Sequence, residues 1–420
     1  MILRRSVACM AAAFLWAGGV SAQTAPAPGP APAPVAPGRG VLKIGVVNPF
    51  SGPMALYGDE MTRGFDLAVD RANAAGGVLG RTVQIVRASA TTPQEAISAV
   101  EQLVSRDKVD LLSGTYVTAL SNAASEAALG NNKLFWETNA LAKDLTERGL
   151  PNFARSGPAG DSFAQRSVEG VIKLVAVKIG KEPAALKVWI EHEDSAFGTS
   201  IGKEQEKLLR AAGVTQLGIG NHSARAVDLS DSILRAKNFG PDLWLSTAYV
   251  VDHNLLLRTA REQSFKPAAM MLVGTGDTFE TLDALGKEYL EGVLLVSYPR
   301  PDVGEAYAPG AAAFLTAYRA KYNREPIAPQ SMSAFVGMRI LLEALESAGS
   351  VEYDKVLAAA AKMDKPFGSY ETGYGVKFDK TMQNVRALPL IAQWQDGTVR
   401  AVYPAEAVSG GTQLSSLARK

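Results

Sequence analysis

Val41–Pro53 reads VLKIGVVNPFSGP, and the chain from there to Arg87 decides the fold. Val41–Val47 is apolar at nearly every position, the pattern of a strand buried on both faces. Met61–Ala75 carries apolar residues at helical spacing and stops at Gly76-Gly77, where glycine can take the left-handed turn that ends a helix. Thr82–Arg87 (TVQIVR) returns to strand. Strand, helix and strand in this order form a βαβ unit, which calls for a parallel sheet with helices on its faces.

The rhythm continues outward. Gln94–Ser105 reads as a helix with Pro93 near its first turn, Val109–Leu112 as a strand, Leu120–Leu129 as a helix and Lys133–Trp136 as a fourth strand. It restarts after Pro158 with a helix at Phe163–Ile179. Strands at Ala185–Ile190, Gln216–Ile219, Leu243–Leu245 and Ala269–Val273 then alternate with helices at Gly198–Ala212, Asp231–Phe239 and His253–Gln263. A second set of βα units implies a second domain of like architecture. Ala311–Tyr322 and Met332–Ala348 read as helices and Leu388–Trp394 as a strand, but periodicity does not say which domain takes them.

The ends and the composition bound the function. Arg4 and Arg5, the apolar run Val7–Val20 and the small residues through Ala22 form a signal peptide, with cleavage expected after Ala22. Residues 23–40 are almost only Pro, Ala and Gly and read as an extended spacer. Cys9 is the only cysteine and leaves with the signal, so the mature chain has no disulfide and no thiolate chemistry. The charge is balanced, 43 Lys and Arg against 42 Asp and Glu, and no basic stripe suggests nucleic acid. No later apolar run is long enough to span a bilayer. P-loop, G-x-S-x-G and H-E-x-x-H patterns are absent, and His192, His222 and His253 lie too far apart to pair as metal ligands on one helix. A binding protein is therefore expected, without cofactor, metal or catalytic residue. A ligand-sensing receptor component acting through a partner chain and an exported α/β enzyme remain as alternatives.

Open α/β sheets bind ligands beyond the carboxyl ends of their strands. Candidate loops there are Asn48–Pro53 with Tyr57, Ser113–Thr118, Glu137–Leu141, Asp194–Gly198, Thr247–Tyr249 and Gly274–Asp277. Thr118 starts a helix, where its hydroxyl and the free amides behind it suit a carboxylate. Tyr116, Phe197 and Tyr249 could wall an apolar group.

Lys43–Val47, Ser51-Gly52-Pro53, Tyr57-Gly58, Gly64 and Asn73-x-x-Gly76-Gly77 together resemble the opening of the leucine/isoleucine/valine-binding protein family. These are the branched-chain amino acid type of periplasmic solute-binding proteins. The similarity continues through Leu145–Gly149, Asp194-x-x-Phe197-Gly198, Asp228-Leu229-Ser230 and Glu291-Gly292-Val293. The resemblance implies a type I periplasmic binding fold, a Venus flytrap. In it, two doubly wound parallel-sheet α/β lobes are joined by a three-strand hinge. Lobe one would take 41–157 plus 298–384, lobe two 158–297 plus 385–405, and 406–420 would be a tail. It also implies a periplasmic monomer that closes on a small-molecule ligand and hands it to the permease subunits of an ABC importer in the inner membrane.

Carried over residue by residue, the resemblance makes Tyr57 an aromatic lid, Thr118 the holder of the ligand carboxylate, and Tyr249 a second-lobe aromatic. Asn139 and Ala140 would offer backbone groups to the amino end. Leu141 stands where a threonine is expected, Phe197 where a tyrosine is, and Thr275–Asp277 lacks the expected ammonium-binding glutamate unless Asp277 replaces it. An unpaired ammonium in a closed cleft costs several kcal/mol, so these departures favour a keto or aromatic acid over an amino acid. Glu137 points the other way, since a carboxylate at the cleft favours a cationic or hydroxyl-bearing ligand.

Overall fold

The computed structural model describes residues 40–417; the expected signal peptide, Cys9 and all but the last residue of the expected Pro/Ala spacer lie outside them. The first sheet holds β1 (Val41–Asn48), β2 (Thr82–Ser89), β3 (Leu111–Gly114), β4 (Phe135–Glu137) and β5 (Phe153–Arg155). Its order is β2-β1-β3-β4-β5, and every pairing is parallel. Helices α1 (Ala55–Ala74), α2 (Pro93–Ser105), α3 (Thr118–Gly130) and the short α4 (Asp144–Glu147) join these strands. Leu42, Ile44 and Val46 point to one face and Val47 to the other, and all four are fully buried. That is the double-sided burial their unbroken apolar pattern required.

Helix α1 begins six residues before the expected Met61. A single 3-10 turn at Gly52–Met54, opened by Pro53, leads straight into it. What hid the early turn is Glu60, a carboxylate that interrupts the apolar stripe yet is fully buried. It accepts from Tyr318 at 2.7 Å, Arg63 at 2.5 Å and the Ile327 amide at 3.2 Å.

The second sheet holds β6 (Lys187–Glu193), β7 (Gln216–His222), β8 (Leu243–Thr247), β9 (Ala269–Val273) and β10 (Leu294–Ser297). Around it run α5 (Gly160–Gly170), continued through a π-helical stretch into α6 (Val177–Ile179), then α7 (Ala196–Ala211), α8 (Ser230–Phe239), α9 (Val250–Glu262), α10 (Phe279–Leu285) and α11 (Lys287–Leu290). Beyond β10 the chain forms α12 (Ala311–Tyr322), α13 (Gln330–Ala348), α14 (Tyr353–Ala360) and a two-stranded ribbon of β11 (Asp364–Lys365) and β12 (Val376–Lys377). It ends with β13 (Leu390–Gln395) and β14 (Thr398–Tyr403). These last strands extend the second sheet, in the order β14-β13-β10-β9-β8-β6-β7. The expected parallel sheet carries an antiparallel edge: β13 runs antiparallel to β10, and β14 folds back antiparallel on β13. A tight turn at Asp396-Gly397 suits a hairpin, and no crossover helix separates the two strands.

The late helices pack on the first sheet. Helix α13 lies along α1 so closely that a Cβ on Gly64 would stand 2.0 Å from the Ser331 carbonyl oxygen. Trp136 locks the same helix down, donating from its indole to Ser156 at 2.9 Å and to the Gly337 carbonyl at 3.1 Å. Two lobes result, and the chain passes between their sheets three times, after β5, after β10 and before β13. The first and last of these passages are laced together: Arg155 donates to Gln383 at 2.5 Å, and Gln383 and Asn384 donate to the carbonyls of Gly157 and Ser156 at 2.9 and 3.0 Å.

Candidate functional site

In both sheets the parallel strands end at loops that face the junction of the lobes. In the first lobe, Glu137 at the end of β4 governs the geometry. Its Oε1 accepts from the amides of Thr138, Asn139 and Ala140, each at 2.9 Å, and its Oε2 from the Thr115 amide at 2.9 Å and Ser121 at 2.5 Å. Burial pushes its carboxyl up, against the pull of these donors. The side chain that looked like a ligand-facing carboxylate is thus a fully engaged brace. It ties the loop after β3 to the loop after β4.

The backbone of Asn139 and Ala140 is likewise taken. Besides giving both amides to Glu137, they accept from Tyr298 at 2.5 Å and Arg155 at 2.9 Å. Arg155 also donates to the Ala142 carbonyl at 2.8 Å, and burial lowers its guanidinium to about 10. The Leu141 carbonyl accepts from the Gly160 amide at 2.7 Å, and its side chain is core. Thr118 is the first residue of α3 rather than its cap; Val117 holds that position. Its hydroxyl is buried and accepts only a long bond, 3.4 Å, from the Ala142 amide.

The second lobe has a counterpart at the end of β6. Glu193 accepts from the Gly198 amide at 2.5 Å and from the Ser195 amide and hydroxyl at 2.6 and 2.7 Å, which sets Phe197 in the first turn of α7. Tyr249 caps α9. Burial raises its phenol, as do the charges of Glu193 and Asp252, while Ser195 and the Thr118 amide pull the other way. Thr275 turns its hydroxyl inward, donating to the Ala248 carbonyl at 2.9 Å beside His253 at 2.7 Å. Burial drives that imidazole down to about 3. Asp277 is buried and accepts from Ser297 at 2.6 Å.

Under this loop system, His222 sits between Glu191 at 3.0 Å and Asp252 at 3.2 Å. Burial opposes its charge, but the two carboxylates outweigh burial and raise it to about 9.

Four rings then join the lobes. Tyr57 stacks on Tyr116 with centroids 4.4 Å apart, Tyr116 meets Tyr249 edge-on at 6.2 Å, and Tyr249 leans on Phe197 at 4.9 Å. The structure therefore brings Tyr57, Tyr116, Thr118, Phe197 and Tyr249 together, with Asp277 near enough that its charge raises the phenols of Tyr57 and Tyr116 beyond what burial does. It leaves Leu141 and Thr275 as supports. Tyr298 and Gln330 join the same neighbourhood without having been singled out. The signal for Gln330 is one amide at the start of a helix whose next residues are small or apolar; Tyr298 gives only an aromatic after a strand. A groove of about 750 Å³ between α1, α12 and α13 lies elsewhere, on the first lobe. It lacks the convergence of strand ends and helix N-termini that marks the ring cluster. Among the described residues no cluster of His, Cys, Asp and Glu could hold a metal ion, and no helix is long and apolar enough to cross a membrane.

The family described as periplasmic binding protein matches residues 41–398. The Leu/Ile/Val-binding protein homolog 7 of Brucella suis is 36% identical over 370 residues, covering 88% of this chain and 93% of that protein. Among solved structures, the isoleucine complex of a branched-chain amino acid transporter substrate-binding protein, LivJ of Streptococcus pneumoniae, superposes with a TM-score of 0.72. It is 20% identical and covers 87% of this chain and all of that one. An ABC-transporter solute-binding protein of Rhodopseudomonas palustris in complex with 3,4-dihydroxybenzoic acid gives 0.69 at 20% identity, over 86% and 95% of the two chains. With its two α/β lobes and its match from the first strand to the last hairpin, the chain belongs to the periplasmic binding proteins, in their Leu/Ile/Val-binding branch, a family of solute-binding proteins.

Proposed function

We propose that this protein captures a small carboxylate-bearing ligand, an amino-acid-like or aromatic or keto acid, between its lobes in the periplasm and delivers it to an ABC importer. The observation that carries the reading is the four-ring contact from Tyr57 and Tyr116 across to Tyr249 and Phe197, with Thr118 opening a helix beside it. Rings from both lobes can close over an apolar body, while the Thr118 hydroxyl and the first amides of α3 suit a carboxylate. The lobe limits expected above, 41–157 plus 298–384 and 158–297 plus 385–405, belong to the same proposal, as do cleavage after Ala22 and the monomeric state. Delivery would follow hinge closure, in which ligand shifts the population toward the closed form that the permease recognises.

The carboxylates in the two neighbouring complexes, isoleucine and 3,4-dihydroxybenzoic acid, support the class. A thermal-shift screen of amino acids against matched keto and aromatic acids tests it. A carboxylate that binds raises the melting temperature by an amount that grows with the logarithm of its concentration over Kd; stabilisation only by uncharged solutes would refute the reading.

A further inference from the structure

Gln330, the first residue of α13, is fully buried beside the Tyr116 hydroxyl, and neither its Oε1 nor its Nε2 makes a well-formed hydrogen bond. A buried primary amide so poorly satisfied is rare in a folded protein and asks for a reason. Three further groups around the same rings share the condition. The Tyr57 hydroxyl, which faces that of Tyr116, one carboxylate oxygen of Asp277, and Nε and one terminal nitrogen of Arg300 are all buried without a well-formed hydrogen bond.

These groups converge on Tyr116. Burial raises its phenol first, and the charges of Tyr57, Tyr249 and Asp277 raise it further, while the amide of Gln330 lies close enough to act in the opposite sense. Tyr57 stacks on that ring at 4.4 Å. Asp277 approaches from the second lobe, and Arg300, from the passage after β10, lies 3.7 Å from it and 3.6 Å from the half-exposed Asp302, near enough to offset charge but too far to hydrogen-bond either. The four come from two helices, one strand-end loop and one interlobe passage, so no single packing constraint accounts for all of them.

The balance of charge selects the partner. A second anion would meet Asp277, and a cation would meet Arg300. A neutral group that both donates and accepts can serve both sides, giving its proton to the free Asp277 oxygen and accepting from Gln330 or Arg300. An apolar end would leave all of them buried and unpaired.

We infer that Gln330, Asp277 and Arg300 form a polar subsite beyond the Tyr57–Tyr116 ring pair that selects carboxylates bearing a hydroxyl at their far end. The inference rests on the proposed carboxylate site at Thr118 and adds the chemistry of the opposite end. Sites built to hydrogen-bond a hydroxyl reject the analogue without it far more strongly than apolar pockets reject an extra methylene.

Calorimetric titration of the mature protein with matched pairs tests this: benzoate against 4-hydroxybenzoate, phenylpyruvate against 4-hydroxyphenylpyruvate, and phenylalanine against tyrosine. The hydroxylated member of the pair that binds is expected to bind about 30-fold tighter or more. Gln330→Leu and Asp277→Asn are each expected to cut that ratio about tenfold. Equal affinity within a pair, or a ratio unchanged in both variants, overturns the subsite alone. Should Gln330→Leu fail to fold, the isosteric Asp277→Asn decides by the same ratio. Absence of binding by every acid in the set would instead remove the carboxylate reading, and the subsite with it.

Discussion

Both lobes brace a strand-end loop on a carboxylate held by backbone amides, Glu137 and Glu193, but the second lobe adds a buried charge cluster that works by different physics. In the first, Glu137 is surrounded by four backbone amides and one hydroxyl, with no side-chain cation bonded to it. In the second, Glu191 and Asp252 share one imidazole, His222, and Trp189 adds an indole donor to Glu191 at 2.9 Å. Backbone amides carry no titratable proton at physiological pH, so the first brace depends on chain geometry. The cluster that the second lobe adds depends on a proton. The lobe that supplies Tyr249 is therefore the one whose loops answer to pH.

The largest effect should come from breaking the first brace. Glu137→Gln replaces one acceptor oxygen by an NH2 group facing buried donors. Chemical denaturation at pH 7 is expected to show a loss of about 3–5 kcal/mol. A loss below about 1 kcal/mol would mean that the five bonds are dispensable, and the contrast between the lobes would collapse.

His222→Asn tests the charge cluster of the second lobe by leaving two carboxylates without their shared cation, with an expected loss of about 2–3 kcal/mol at pH 7. The wild type carries its own version of the experiment. Because the folded value of about 9 lies above the unfolded value of 6.5, the stabilisation is complete below about pH 6.5 and fades as pH rises through 9. Denaturation midpoints at pH 6.5 and pH 10 should differ in the wild type and converge in His222→Asn. A parallel decline in both proteins would place the titration elsewhere.

The smallest effect concerns the ligand rather than the frame. Thr118→Ala should weaken binding of a carboxylate by about 1–3 kcal/mol, the range for a hydrogen bond to a charged group, with little change in the unliganded melting temperature. Isothermal titration at one pH suffices, and unchanged affinity would move the carboxylate away from α3.

The sequence disclosed the fold where the physics was local. β1, β2, β9 and α12 have nearly the expected limits, because apolar runs and helical spacing are written in consecutive residues. β5, with three residues, and β10, with four, were too short to stand out, and the hairpin of β13 and β14 gets its direction from a partner about a hundred residues earlier. The site was legible by loop but not by atom. That Tyr57, Tyr116, Phe197 and Tyr249 lie at strand ends could be read directly. Whether Glu137 faces a ligand or its own backbone could not, since both uses need the same residue after a strand. Gln330 escaped because its importance lies in bonds it does not make, and sequence carries no record of partners.

The late pairing of β13 with β10 bears on how the chain acquires its structure. Neither lobe is complete when its own βα units have been made. The first sheet waits for α13 to cover the face that Trp136 presents, and the second waits for residues 390–403 to extend its edge. Contacts of such sequence separation make folding slow and leave apolar sheet faces open until the last segments arrive. Fragments cut anywhere before β13 should accordingly expose sticky sheet surface, while permutants that begin near Ala311 would shorten the wait for one lobe at the expense of the other.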